Sequence, residues 1–406
     1  MPCMWFPRSS RKYARSCFGS EVEEFSDWLQ QAGYSRANIR GHLCRLFKVL
    51  TRSQGAEVNG ARSRSFLHRA FGRYCTCVRL SQDFGGTEHA YLRFLDSRGR
   101  LAEEAPSSDP VALLLRRYRR YLCEVRGFAA STVQQHGATI SEFLGRTLRA
   151  GGDVATLTGL QVERYLAQKS KQITRQSMQH VVAHLRAFLR YARAAGLIRE
   201  QLDAIDTPRT YRDELPPRAL PWVLVSRLLA SVDRSSKAGW RDYTILHLMA
   251  YYGLRASEIA ELRVDAIDWK AKTCRVKQRK TQSDLVLPLS EQTLLLLQQY
   301  LRKGRSDCPL PQLFLRVRRP TGGLRNYGVC EVFYKRAAQS GLPLQGFSSY
   351  SLRHSFAMRL LQRGVGVKAI GDLLGHRSLE ATCVYLRLER SALRTVALPL
   401  PCGRLS

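Results

Sequence analysis

A chain of 406 residues is long enough for two or three cores of ordinary domain size, and 44% hydrophobic with 24% charged residues excludes disorder as its default state. The 65 Lys and Arg outnumber 33 Asp and Glu, for a formal charge of +32. That excess points to a polyanionic partner, nucleic acid first, with a ribosome-type structural binder or a membrane-surface protein as the bland alternatives. The eleven cysteines are odd in number and scattered through segments that read as helices, which argues for free thiols in a reducing compartment rather than a disulfide framework. Cys75-Thr76-Cys77 lacks the second pair or His partners of a zinc site, so no metal is expected. No apolar core of signal-peptide length opens the chain, and no uncharged apolar run of about 18 residues occurs in it; a cytoplasmic protein without a membrane partner is the expectation.

In chain order, Glu21 to Leu50 carries Phe25, Trp28, Leu29, Ile39, Leu43, Leu46 and Leu50 at helical spacing, broken by Gly33-Tyr34-Ser35, which predicts two helices joined at that turn. Val111 to Leu144 repeats the theme at an offset of 94, with Gly33 matching Gly127, Tyr34 matching Phe128 and His42 matching His136; a duplication or two unrelated hairpins would both give this. The polar stretch Ser97 to Pro110 reads as a linker. From 110 to 205 the pattern stays helical and ends on an amphipathic helix through Val181, Leu185, Phe188 and Leu189, stopped by Gly196. Residues 206–221 hold four prolines among charges, which excludes regular helix and marks a second linker. In the last unit, 222–406, Cys274–Val276 and Leu285–Leu289 have strand composition around a polar turn. The expected fold is therefore mainly α with a small β-sheet in the C-terminal domain. Residues 1–100 form a helical N-terminal domain, 110–205 a second helical domain, and 222–406 a mixed α+β domain with a tail.

Five positions of the last unit can be assembled into one phosphate site. Arg255 in Gly253-Leu254-Arg255-Ala256-Ser257-Glu258 stands where one helix stops and another starts, under backbone amides that favour an anion. Arg353 lies in Tyr350-Ser351-Leu352-Arg353-His354-Ser355-Phe356-Ala357. His376 follows Gly375 at a helix end, and Tyr385 comes nine residues later on a short helical run. Lys280 occupies the turn between the two strands, ahead of Val286-Leu287-Pro288-Leu289.

That order resembles the catalytic domain of the tyrosine recombinase (phage integrase) family from Pro221 to about Glu389, and residues 110–205 look like the family's core-binding domain. The resemblance implies a site-specific DNA recombinase that cleaves and rejoins DNA through a 3′-phosphotyrosine intermediate. It assigns Tyr385 as nucleophile, Arg255 and Arg353 to the non-bridging phosphate oxygens, His376 as a hydrogen-bond donor to the phosphate, and Lys280 as the acid that protonates the departing 5′-oxygen. Two planar, permanently charged guanidinium groups suit a pentacoordinate phosphorus, whereas an ammonium can give up a proton that an Arg cannot. Lys277, in the strand before the turn, is the second choice for the acid. The chain has no Gly-x-x-x-x-Gly-Lys-Ser/Thr loop, and its acidic residues show no two-metal clustering, so neither cofactor nor metal is implied.

Where the family most often has His, three residues before the second Arg, this sequence has Tyr350. A phenol is a poor base at neutral pH. Tyr350 shares a helical face with Arg353 and so can still donate to the phosphate, whereas His354 points about 100° away from Arg353 and reads as a packed structural histidine. Lys169, Lys171 and Arg175, in the basic run leading into the amphipathic helix, are candidates for DNA contact. Double-stranded DNA is the expected partner, bound by a homo-tetramer that exchanges C-terminal segments, with or without related recombinases of a mobile element. A topoisomerase of the same chemistry and a catalytically impaired DNA-binding homologue are the competing functions.

Overall fold

In the computed structural model of the chain, the residues described are 18–53, 62–102, 109–148, 152–207, 218–278, 283–317, 322–376 and 378–386. Their contacts divide the chain into two compact units, 48–214 on one side and 1–47 with 215–406 on the other.

The chain begins with a hairpin of α1 (Gly19–Gln31) and α2 (Arg36–Arg52). Gly33 makes the turn at φ 76°, a conformation that costs glycine nothing. Then follow the two-residue β1 (Arg62–Ser63), α3 (Arg64–Gly72), α4 (Val78–Ser97) and β2 (Leu101–Ala102), with β1 and β2 paired in parallel. Next come α5 (Pro110–Glu124), α6 (Ala130–Thr147), α7 (Gly159–Ser170) and α8 (Arg175–Ala194). Their inward faces bury Tyr118, Leu122, Ile140, Phe143, Leu185, Phe188 and Leu189 in one core, the stripe that the apolar spacing predicts. The α5–α6 turn repeats the α1–α2 turn at the expected offset. Gly127 is left-handed like Gly33, and Phe128 rests against His136 (5.6 Å between ring centres) as Tyr34 does against His42 (5.3 Å).

In the other unit α9 (Trp222–Ala230) and α10 (Lys237–Tyr252) precede the short α11 (Ala256–Glu261). An antiparallel sheet in the order β3 (Ile267–Asp268), β4 (Thr273–Gln278), β5 (Ser283–Pro288) follows, with Val276 opposite Leu285. Helices α12 (Glu291–Gln299), α13 (Asn326–Ser340), α14 (Ser349–Gln362), α15 (Val367–Leu374) and α16 (Glu380–Cys383) complete it. The fold is mainly α with a small sheet, as the composition of its segments suggested. Its core joins Leu228, Ile245, Met249, Ile259, Val276, Leu297, Phe314, Phe333 and Leu352. One buried carboxylate ties two of its helices together: Asp242 of α10, fully buried, receives Arg241 at 2.8 Å and Arg336 of α13 at 2.7 Å. Among the described residues no helix is long and apolar enough to cross a membrane. Residues 208–217 of the proline-rich linker, the turn residues 279–282 with Lys280, and the tail from 387 onward lie outside the described residues.

Candidate active site

Three helix ends converge on Arg353. The α10 helix stops at Tyr252 because Gly253 takes a left-handed turn at φ 63°. Close packing also requires glycine there, since a Cβ would stand 2.6 Å from Phe356 Cδ1 and 2.8 Å from Leu374 Cδ2. Helix α15 stops in the same way at Gly375, where the amide of Gly375 donates to Asp372 O and that of His376 to Gly371 O. This pair of bonds closes the helix and fixes the backbone of His376. The carbonyls of Gly253 and Leu374, at the negative ends of α10 and α15, accept from Arg353 Nη1 (2.7 Å) and Nη2. Arg353 is only 2% exposed, and its Nε has no partner among the described residues. A buried guanidinium held this way keeps a donor free for an incoming anion.

Arg255 precedes α11 and is clamped by the helix's own Glu258, whose carboxylate accepts from Arg255 N (2.8 Å) and Nη1 (2.6 Å). Glu258 is itself buried and lies 4.0 Å from Arg353 Nη1, so one carboxylate stands between the two cations. Burial lowers the pKa of Arg353, and the neighbouring Arg255 lowers it further. Two guanidinium groups this close, with a single carboxylate between them, retain positive charge that an anionic phosphate can neutralise.

The side chain of Tyr385 belongs to the same cluster. Its ring packs in the apolar group of Ala357, Met358, Ile370 and Leu374. Its hydroxyl hydrogen-bonds His354 Nδ1 at 2.9 Å. Burial raises the tyrosine's pKa and Tyr350 adds to the rise, while Arg353 and Arg255 act in the opposite direction. His376 Nδ1 bonds Thr382 Oγ1 at 2.8 Å, which orients its ring. Burial, then Arg353, Arg255 and His354, push its pKa down to about 4, so the imidazole is neutral near pH 7.

Strand β4 reaches this cluster from the side. A Cβ at Gly375 would meet Gln278 Oε1 at 1.9 Å, so the last described residue before the β4–β5 turn lies against the turn that carries His376. Lys277 alternates to the other side of the strand, where it lines a cavity of about 410 Å³ with Glu261, Arg263 and Asp265.

The site therefore brings together Arg255, Arg353, His376 and Tyr385. Tyr350 is half exposed and packs edge-on against His354, 4.6 Å between ring centres. The expectation for His354 needs correction. It is half-buried, yet it is not a mere packing histidine, because it holds the tyrosine hydroxyl directly. It stands four residues after Tyr350, one helical turn along the same face. Two other polar groups of the cluster are Glu258, which the Arg255 motif includes without a role, and Thr382, which no motif contains. Glu258 had a signal, three residues into a helix whose N-cap is Arg255; Thr382 had none. In the other unit, Lys169 is taken by Glu142, with Nζ 2.7 Å from both carboxylate oxygens, while Lys171 and Arg175 are exposed at the α7–α8 turn.

Comparison with known proteins decides what such a cluster belongs to. Residues 224–391 match the model of the phage integrase family. The y4gC integrase/recombinase of Sinorhizobium fredii is 39% identical over 179 residues, 44% of this chain and 92% of that protein. Tyrosine recombinase XerD of Mycobacterium leprae is 30% identical across 75% of this chain and 93% of its own length. The chain belongs to the phage integrase family. It is a tyrosine site-specific recombinase, an enzyme that breaks and rejoins DNA strands. A second S. fredii integrase/recombinase, y4rA, is 29% identical over 93% of both chains, so this recombinase and that one also match outside the catalytic region. Solved structures share the recombinase fold. A lambda integrase dimer bound to a COC′ core site matches with TM-score 0.55 at 18% identity, covering 79% of this chain and 91% of that one. The Tn1549 transposon integrase in complex with a circular intermediate DNA gives 0.55 at 16%, covering 70% and 99%.

Proposed function

We propose that this recombinase cleaves double-stranded DNA by attack of the Tyr385 hydroxyl on a scissile phosphate, leaving a 3′-phosphotyrosine link and a free 5′-hydroxyl. The reading rests chiefly on one observation: a buried tyrosine hydroxyl lies in the same cluster as Arg255 and the carbonyl-held Arg353. Arg353, through its free Nε, and Arg255 would grip the two non-bridging oxygens. A neutral His376 would donate one more hydrogen bond from the nitrogen that Thr382 leaves open. Removing one such donor from a transition-state oxyanion costs on the order of 10²–10³ in rate. Lys280 is proposed as the acid for the 5′-oxygen, supported by the contact of Gln278 with the His376 turn just two residues away.

The helical domain of residues 110–205 would also grip the DNA, with Lys171 and Arg175 on phosphates; Lys169 would have to leave Glu142 to join them. On this reading the enzyme is a homo-tetramer acting on two duplexes of a mobile element in the cytoplasm. The two solved structures named above hold a COC′ core site and a circular intermediate DNA, which supports DNA as the partner here.

A pool of nicked duplexes of randomised sequence tests the central claim, because a nick lets the short 5′-ended fragment diffuse away and traps the enzyme on DNA. The wild type is expected to form an adduct that survives denaturing electrophoresis, and Tyr385→Phe none. An adduct undiminished in Tyr385→Phe overturns the assignment, and no adduct with any sequence favours a DNA-binding homologue without catalysis.

A further inference from the structure

We propose that His354 is the group that takes the proton from Tyr385 when the tyrosine attacks phosphorus. The proposal rests on Tyr385 being the nucleophile and goes beyond it by naming the base. Position 350, where a base is expected, holds a phenol that cannot do this work. The structure instead presents an imidazole nitrogen to the hydroxyl.

Four observations converge. His354 Nδ1 is 2.9 Å from the Tyr385 hydroxyl, within the reach that general-base catalysis needs. It is that hydroxyl's sole hydrogen-bond partner among the described residues. The phenol is desolvated and stays protonated, so it has a proton to give, and a neutral imidazole beside it has a lone pair to receive it. Finally, the ring is held for the task. Tyr350 packs edge-on against one side (4.6 Å, 87° between planes), and the Tyr385 ring lies across another at 5.5 Å and 61°.

The balance of the step is simple. The Tyr385 O–H bond breaks as the phenolic oxygen bonds to phosphorus, and its proton moves to His354 Nδ1. The bond from phosphorus to the 5′-oxygen breaks, and that oxygen takes a proton from the general acid. In rejoining, the 5′-hydroxyl attacks phosphorus and gives its proton back to the deprotonated general acid, the bond from phosphorus to the Tyr385 oxygen breaks, and the imidazolium returns its proton to the departing phenolate. Substrate assists the forward direction. Burial and the adjacent Arg353 hold the pKa of His354 down to about 4 in the free protein. A phosphate seated on Arg353 offsets that positive charge, so the imidazole becomes a better proton acceptor once DNA is bound.

The test uses the full-length protein and one nicked duplex recovered from the randomised pool by covalent capture with the wild type. His354→Asn places an amide oxygen where Nδ1 stands: it can accept the tyrosine's hydrogen bond but cannot take its proton. His354→Ala opens space for imidazole supplied in the buffer. The expected result is a single-turnover rate of adduct formation lower by about 10²–10⁴ in both variants with DNA affinity unchanged. Added imidazole restores part of the rate in His354→Ala alone. A His354→Asn protein that cleaves within about threefold of the wild type, against that expected loss, overturns the proposal, since positioning would then suffice. So does a His354→Ala protein that binds DNA normally but gains nothing from imidazole. Tyr385→Phe run in parallel separates the two readings: if it still forms the adduct, the nucleophile assignment fails first, whereas an inert Tyr385→Phe beside an active His354→Asn removes the base alone.

Discussion

At the scale of single residues, this active site differs from its family's usual pattern at one position and answers that difference four residues later. Tyr350 and His354 lie one turn apart on α14, and among the described residues only the second hydrogen-bonds the tyrosine hydroxyl. The substitution Tyr350→His would put a second imidazole next to the first, on the same helical face and near the same hydroxyl. It removes no charge and little volume, so folding is expected to survive. Adduct formation on a nicked duplex is expected to stay at the wild-type rate or rise, because either imidazole could then receive the proton. Complete loss of cleavage would show that the phenol of Tyr350 has a specific role of its own.

At the scale of elements, what could be read from the sequence depended on whether a local rule controlled the feature. Glycine stops were legible because a left-handed residue has few substitutes: Gly196, Gly253 and Gly375 all end helices where the pattern said they would. The β4–β5 hairpin was legible from β-branched and apolar composition around a polar turn. The four residues assembled around the phosphate site were legible only jointly, through their order along the chain, since each alone reads as surface or core. What could not be read is side-chain partnership over long separations. Nothing in a sequence announces that Arg353 will be held by carbonyls 100 and 21 residues away. Asp242 is the same kind of feature, and it carries a prediction. It is fully buried between Arg241 and Arg336, so Asp242→Ala leaves two guanidinium groups facing each other without their carboxylate. Breaking a buried pair from one side costs about 3–5 kcal/mol. Thermal or denaturant unfolding of the variant should show a loss of that order, and a change below about 1 kcal/mol, the usual ceiling for a surface pair, would mean that the two arginines find water or other partners.

At the scale of the whole molecule, the charge of +32 has to be accounted for by more than the active site, which uses only a few cations. Two of these, Arg255 and Arg353, are already engaged with Glu258 and with helix-end carbonyls. Most of the excess therefore lies outside the cluster proposed to hold the scissile phosphate. Each phosphate contact releases condensed counterions, so binding should weaken steeply with salt whatever the sequence of the duplex. If about six to ten phosphates are contacted, affinity should fall by about 10³–10⁵ between roughly 50 and 200 mM salt. Fluorescence anisotropy of a labelled duplex across that range measures the slope directly. Replacing exposed Lys171 or Arg175 by Ala should make the slope of log affinity against log salt shallower by about one unit each, if each meets a phosphate. Tyr385→Phe should leave it unchanged, because the nucleophile carries no charge. A wild-type slope flatter than about −2, equivalent to some two phosphates, would mean that the basic surface does not serve DNA binding and that the positive charge has another partner.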